Sequence, residues 1–367
     1  MTESSYGARW CARAPVRVDP AGAGTDCPPF SHEHGGLVVN IALDRYVYAS
    51  FERLPRAEGV TIFSRDWPGG LRAESPTALD LRGPLNLLAG FVKRFGAADD
   101  GCLLETDSRL PDSSGLGGSG ALGVAVTAAI HRAYGRERTP QQIAEEANAV
   151  ERVDLGFPGG SQDSYGAALG GINLIEYRQG GATTYRKLQV SRDAVLRLER
   201  DSLLIYTGSG HVSGSIHDDI RTSYGQPGSA TLRAMFGLRE EAAIMAERLE
   251  AGDIAGYARA MNNCRFHHYG LHPSCDSDRL REYFRALDPL ILGGKTCGAG
   301  GGGFILVCAD PHRQHECLDA AARFDHGRKD SVWPLAIDWN GVTTWTEPPT
   351  PAEIGRASCR ERVYGTV

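Results

Sequence analysis

Pro111-Asp-Ser-Ser-Gly-Leu-Gly-Gly-Ser-Gly-Ala121 runs without a break into Leu122-Gly-Val-Ala-Val-Thr-Ala-Ala-Ile130, an almost wholly apolar stretch of helical length. Glycines let successive backbone N–H groups turn into one concavity, and a helix N-terminus behind them adds partial positive charge. Such a cradle takes a phosphate without a cationic side chain. Ser119 offers a hydroxyl where a nucleotide-bound magnesium could take it as a ligand. The plain alternative is a flexible turn capped by serine.

Two other phosphate motifs compete with this reading. Gly115-Leu-Gly117-Gly-Ser-Gly120 satisfies G-x-G-x-x-G, the dinucleotide fingerprint, but Pro111-Asp-Ser-Ser separates its first glycine from the preceding strand. Gly293-Gly-Lys295-Thr296 resembles the end of a P-loop, yet the required first glycine falls on Pro289 and no helix follows. Both are rejected. A further loop, Cys297-Gly-Ala-Gly-Gly-Gly-Gly-Phe304, has five glycines in six positions. Backbone entropy makes that costly unless positive φ or close backbone approach demands it.

Around these loops the pattern is mixed. Strands are expected at 36–52, 60–64, 102–106, 172–176, 202–206, 304–308 and 332–338. Helices are expected at 85–95, from Ala121 onward, from the capping box Thr139-Pro-Gln-Gln142 to about Val153, and at 229–250, 253–264, 278–287 and 313–324. Strands and helices do not strictly alternate, so the fold class is α+β. At 367 residues the chain has room for two domains. The boundaries read as 1–195 and 196–346, with 352–367 a vector-derived tail that would make Cys359 non-native.

Bulk composition excludes several classes. A net charge of −6 argues against a general nucleic-acid binder. Nine cysteines with no C-x-x-C read as reduced thiols, and no apolar run matches a signal peptide or a membrane helix. The expected protein is soluble, cytoplasmic, and a monomer or homodimer.

Carboxylates supply the remaining constellation. Ile143, Ala147 and Glu151 recur every four residues, which puts Glu151 on the apolar side of its helix. A carboxylate there wants a cation or dense hydrogen bonding. Asp163 follows the glycine-rich turn Gly156-Phe-Pro-Gly-Gly-Ser-Gln162, which would fix its angle. The alternatives are an ion pair with a nearby Arg for Glu151 and a turn-forming Asp163. His32 and His34 could suggest a metal but read better as surface or capping residues, and for His267 and His268 structural duty is preferred over a substrate contact.

Taken together, the chain resembles the GHMP kinase superfamily, whose members carry three motifs in this order. The first corresponds to Arg13-Ala-Pro15-Val-Arg17 through Gly22-Ala-Gly24-Thr25-Asp26, the second to Pro111–Ala121 and the third to Gly298–Phe304. The stretches Gly24–Phe30, Glu33–Gly36, Asp44–Tyr46 and Glu151–Gly156 look closest to the bacterial heptose 7-phosphate kinase and fucokinase-like branch. The resemblance implies an N-terminal ribosomal-protein-S5-like domain with a left-handed βαβ element and a C-terminal ferredoxin-like domain. It further implies ATP and magnesium as cofactors and a sugar or sugar phosphate as acceptor.

Position by position, the resemblance makes Asp163 the catalytic base and Arg17 a cation that helps polarise the acceptor hydroxyl. Ser119 and Glu151 become magnesium ligands. Pro111, Ser114, Gly115, Leu116, Gly117, Gly118, Ser119 and Gly120 would hold the nucleotide. Gly24, Thr25 and Asp26, with Gly300 and Gly301, would meet the acceptor. Asp19 stands where an apolar or small residue is commoner, and a charge there near the substrate mouth would alter sugar choice. Rival readings are a kinase of a non-sugar alcohol, a non-catalytic sugar or nucleotide sensor and, more distantly, a dehydrogenase.

Overall fold

A computed structural model describes residues 6–111, 113–208, 219–220, 222–224, 229–324 and 331–347. The tail expected at 352–367 lies outside these residues. Two sheets organise the chain. The larger has eight strands in the order β12-β1-β2-β5-β3-β4, with β6 pairing β2 and β7 completing that edge. Its members are β1 (Arg9–Ala21), β2 (Gly36–Pro55), β3 (Val60–Ser64), β4 (Gly70–Ala73), β5 (Asp100–Asp107), β6 (Ile172–Tyr177), β7 (Thr183–Lys187) and β12 (Thr343–Glu347). β3 and β5 form its parallel pair; the other pairings are antiparallel.

β2 is 20 residues long because, besides pairing with β1, it serves two partners along its other edge: Gly36–Ile41 pairs with β6 and Tyr48–Pro55 with β5. The smaller sheet, antiparallel throughout, runs β11-β8-β10-β9, with β8 (Ser202–Tyr206), β9 (Ile291–Thr296), β10 (Phe304–Ala309) and β11 (Val332–Pro334).

Helices cover both sheets. The short α1 (Phe30–His34) joins β1 to β2, and α2 (Asn86–Phe95) precedes β5. The glycine loop feeds α3 (Gly118–Ala133), which lies against β1 and β2. Then come α4 (Pro140–Ala149), α5 (Gln162–Leu169), α6 (Arg192–Asp201), α7 (Ala230–Glu250), α8 (Ile254–Tyr269), α9 (Asp278–Leu287) and α10 (Gln314–Ala322). α7 and α8 pack together; α7 also touches β2, while α8 rests on β9. This is the mixed α+β architecture expected.

Local sequence explains the boundaries that position the site. The α4 capping box is made as expected: the Thr139 hydroxyl accepts from the Gln142 N–H, and the Gln142 side chain accepts from the Thr139 N–H. α4 then loosens into a single π-turn at Val150–Asp154. Such turns re-aim side chains inside a helix, and here one carries Glu151.

Several elements differ from the sequence expectations. α3 begins at Gly118 rather than Ala121, since Gly117 adopts the left-handed conformation and caps it. α8 continues to Tyr269, so His267 and His268 lie in its last turn. β11 ends at Pro334, although Ile337 makes one further bridge to Leu43. The first strand, the edge strands β4, β7 and β12, the helices α1, α5 and α6, and β9 were not signalled. β1 reads Arg-Trp-Cys-Ala-Arg-Ala-Pro-Val-Arg-Val-Asp-Pro-Ala, which has no clean alternation because most of it is buried on both faces. The eight described cysteines are free, as expected of reduced thiols.

Candidate active site

β1 brings Arg17 under the glycine loop. Its Nε and Nη2 donate to Asp163 Oδ1 at 2.8 and 2.5 Å, and its Nη1 donates to the Gly115 carbonyl at 2.8 Å. Asp163 itself sits in the first turn of α5. Burial opposes the charge on Arg17, but the carboxylates of Asp163 and Asp19 outweigh it and hold the guanidinium protonated.

The loop's composition follows from this crowding. A Cβ at Gly117 would meet the Arg17 guanidinium and the Asp163 carboxyl at 3.1 Å, and one at Gly120 would approach the Asp163 Cβ to 2.5 Å. The last loop packs onto the same backbone from the other side. A Cβ at Gly303 would lie 2.4 Å from the Ser114 carbonyl oxygen, and one at Gly298 2.9 Å from that of Gly115. The Phe304 N–H donates to the Ser114 carbonyl at 2.8 Å. Close approach, which the sequence suggested, is therefore one reason for the glycines at 298–303; positive φ at Gly298, Gly300, Gly302 and Gly303 is the other.

Glu151 is buried, as its periodicity implied, and faces Ser119. Burial raises its carboxyl above the usual range; Arg152, with Nη2 at 3.5 Å, pulls it back, Asp163 pushes it up, and a hydrogen bond with the Ser119 hydroxyl lowers it. A carboxylate desolvated beside a hydroxyl, with a second carboxylate near, fits a divalent cation that arrives with phosphate oxygens. Among the described residues no cluster of three or more His, Cys, Asp or Glu forms a self-sufficient metal site. Magnesium would accordingly depend on the nucleotide for its remaining ligands.

Two pockets meet at Asp163. The larger is a cleft of ≈ 2030 Å³ floored by Ser114, Gly115, Gly117, Gly118 and Ser119 and flanked by Gly298–Gly302. Its far wall is apolar, with Leu85, Leu88, Leu110 and the half-exposed Trp67. The smaller pocket, ≈ 450 Å³, is lined by Gly24, Asp26, Gln162, His268 and Leu271 among others. Arg17, Arg152, Asp163, Gly298 and Ala299 line both. Asp26 accepts from the Gly24 N–H and the Gln162 N–H, both at 3.2 Å. Burial, and then the charge of Asp163, push its carboxyl up to about 6, against those backbone bonds and Arg152. Gly160 must be glycine because a Cβ there would fall 1.8 Å from Asp26 Oδ2.

Not every expected residue faces these pockets. Thr25 is fully buried; its hydroxyl donates to the Gly22 carbonyl at 2.7 Å and accepts from the Leu37 N–H at 3.1 Å. It clasps the turn after β1 to β2 and is not disposed to meet an acceptor. Leu116 points into the core, and its carbonyl accepts from the Arg17 N–H at 3.0 Å. Gly120 lies against Asp163 rather than the cleft. Gly300 and Gly301 line the larger cleft, not the smaller pocket.

Asp19 is a further correction. Its side chain has no exposed surface; it pairs with Lys295 at 3.3 Å and accepts from the Gly298 N–H at 3.0 Å and from Gln162 Nε2 at 3.1 Å. It ties β1 to β9 and to the last glycine loop instead of charging the substrate mouth. Conversely, Trp67, Arg152 and Gln162 line the cleft or pocket without having been singled out. The neighbouring Glu151 and Asp163 were the only local hint for Arg152 and Gln162, and the exposed-looking Trp67-Pro-Gly-Gly turn the only one for Trp67.

Residues 86–171, which span the glycine loop, α3, Glu151 and Asp163, match the family described as GHMP kinases N terminal domain. That segment is a GHMP kinase N-terminal domain. Over 339 residues this chain is 28% identical to a D-glycero-alpha-D-manno-heptose 7-phosphate kinase of Campylobacter jejuni, covering 91% of this chain and 98% of that protein. It is 27% identical over 336 residues to a bifunctional fucokinase/GDP-fucose pyrophosphorylase of Arabidopsis thaliana, covering 85% of this chain but 31% of that longer protein. A crystal structure of a D-glycero-D-manno-heptose 1-phosphate kinase from Bacteriodes thetaiotaomicron superposes with a TM-score of 0.74 at 24% identity, over 92% of this chain and 99% of that one. That likeness establishes a shared GHMP kinase fold. No helix among the described residues is long and apolar enough to cross a membrane.

Proposed function

We propose that this chain is an ATP-dependent sugar kinase that transfers the γ-phosphoryl group to a hydroxyl, the anomeric one, of a sugar or sugar phosphate. D-glycero-D-manno-heptose 7-phosphate or a related sugar is the first candidate, from the similarity to the Campylobacter jejuni enzyme. The observation that carries the proposal is the junction of the two pockets at Asp163. A nucleotide-sized cleft with an amide-lined floor opens there onto a smaller polar pocket, as a transfer between two bound molecules requires.

In this reading residues 1–195 hold the nucleotide, and residues 196–346 close the acceptor side. The apolar wall at Trp67, Leu85 and Leu88 receives the base. The N–H groups at the start of α3 take the phosphates. Magnesium, held by Ser119 and Glu151, would neutralise charge on the phosphate oxygens. Both Arg17 contacts fall on Oδ1 of Asp163, which leaves Oδ2 for the acceptor hydroxyl. As the acceptor oxygen bonds to the γ-phosphorus, its proton passes to Asp163, the β–γ bridging bond breaks, and ADP departs. Arg17 stays charged beside the developing negative charge. Asp26 accepts hydrogen bonds from sugar hydroxyls once ionised.

The test is a panel of heptose phosphates, free heptose, L-fucose, galactose and mevalonate, with ADP release as readout and 31P NMR of the product. Turnover with a sugar and a new anomeric phosphate supports the proposal. ADP release with mevalonate alone refutes the sugar assignment, and release with none of the panel counts against transfer to these acceptors.

A further inference from the structure

His268 is 1% exposed in the last turn of α8, yet among the described residues neither ring nitrogen makes a well-aligned hydrogen bond, the Ala23 backbone only coming near. Buried polar groups are normally paired, and an orphan ring is costly to maintain without a use. His131 provides the contrast. It is buried to a similar degree, but its Nε2 meets Glu146 at 2.5 Å. His267, next in the chain, packs against Gly237 between α7 and α8, where a Cβ would touch its ring. Only His268 of this pair lines the smaller pocket, together with Asp26, Asp163 and Gly298.

The surroundings define what the ring can bind. Gly300 passes so close that a Cβ there would lie 3.2 Å from Nδ1, so the glycine loop presents bare backbone to the imidazole. The charged and polar groups that act on it are Lys295, Asp19, His267 and the Ala23 backbone. Burial, reinforced by Lys295, pushes its pKa down to about 3 against the opposing pull of Asp19 and Ala23. The ring is therefore neutral at any working pH, with one N–H donor and one bare nitrogen acceptor. That combination matches a hydroxyl, which both donates and accepts, or two neighbouring hydroxyls.

We propose that His268 is an acceptor-recognition residue whose ring hydrogen-bonds a hydroxyl of the polyol lying between it and Asp163. The inference rests on the kinase reading above and deepens it. It adds that the acceptor presents an uncharged hydroxyl, rather than its own phosphate, to the α8 wall. A site with buried groups waiting for a hydroxyl discriminates strongly against analogues that lack it.

The experiment compares wild type with His268→Ala and His268→Asn, using D-glycero-D-manno-heptose 7-phosphate, L-fucose and their monodeoxy forms as probes. His268→Ala should raise the acceptor KM about tenfold or more and leave the ATP KM within about twofold. His268→Asn, which keeps a donor and an acceptor, should recover part of the loss. One monodeoxy sugar should be penalised in wild type and not further in His268→Ala, the signature of a direct pair. Should the variants fail to fold, 15N-labelled wild-type enzyme supplies the readout through its imidazole nitrogen resonances during sugar titration.

An unchanged acceptor KM in a natively folded His268→Ala, or imidazole resonances unmoved by a sugar that is turned over, overturns the inference and leaves the kinase reading intact. Resonances that move without ADP release uphold His268 as a sugar contact and overturn the kinase reading. Neither shift nor turnover with any probe overturns both.

Discussion

β1 contributes to two buried ion pairs two residues apart, and they differ in one respect. Asp19 and Lys295 are almost wholly enclosed, at 0% and 1% side-chain exposure, and the Asp19 carboxylate is also bonded to Gly298 and Gln162. Arg17 is equally enclosed, at 4%, but its partner Asp163 keeps 20% exposure and opens onto both pockets. The closed pair leaves no oxygen for a ligand, so it can only hold β1, β9 and the last glycine loop together. The open pair has a second carboxylate oxygen to which Arg17 does not bond, and the proposed proton transfer uses it.

The largest expected effect comes from the open pair. Asp163→Asn should lower kcat by about 10³-fold while ATP affinity changes little. Steady-state kinetics beside calorimetric ATP titration separates these quantities, and near-normal turnover would break the contrast between the pairs. The closed pair should respond oppositely. Lys295→Met leaves Asp19 buried and uncompensated, a loss of about 3–5 kcal/mol in urea unfolding. A variant as stable as wild type would mean that Asp19 finds another cation.

A smaller effect should separate metal handling from proton transfer. Glu151→Gln should weaken the apparent magnesium affinity about 10- to 100-fold at fixed ATP. If magnesium titrations of the two enzymes overlaid, Glu151 would be a structural partner of Ser119 alone.

The mildest prediction concerns pH. Asp26 accepts more strongly from sugar hydroxyls as a carboxylate than as a neutral acid, so kcat/KM for the acceptor should rise with pH and level above about 6, and Asp26→Asn should lack that limb. Because the folded-state value lies above the ordinary 3.8, ionising Asp26 costs stability. Its contribution is fullest below pH 3.8 and is lost as pH rises through about 6. An acceptor that hydrogen-bonds the carboxylate should offset this loss and protect the enzyme more at pH 7 than at pH 5.

The glycine loops were legible because glycine at Gly117, Gly120, Gly298 and Gly303 is demanded by backbone geometry, and such demands leave a local trace. Glu151 was readable from the periodicity of α4, although the π-turn that aims it was not. Asp19 was misjudged because its partner Lys295 lies 276 residues away and no local pattern links them. Thr25 looked like an acceptor contact within its motif, but β2 supplies the backbone groups that claim its hydroxyl. β12 escaped notice for the same reason: a five-residue edge strand takes its identity from β1, at the opposite end of the chain.

The central claim is that the nucleotide's terminal phosphate lies between the start of α3 and Asp163. A crystal structure with a non-hydrolysable ATP analogue, magnesium and a sugar acceptor tests it most directly. The account predicts the γ-phosphate over the Gly115–Ser119 amides, magnesium on Ser119 and Glu151, and an acceptor hydroxyl about 3 Å from Asp163 Oδ2. A nucleotide bound elsewhere, or an acceptor whose hydroxyls all point away from Asp163, would contradict it.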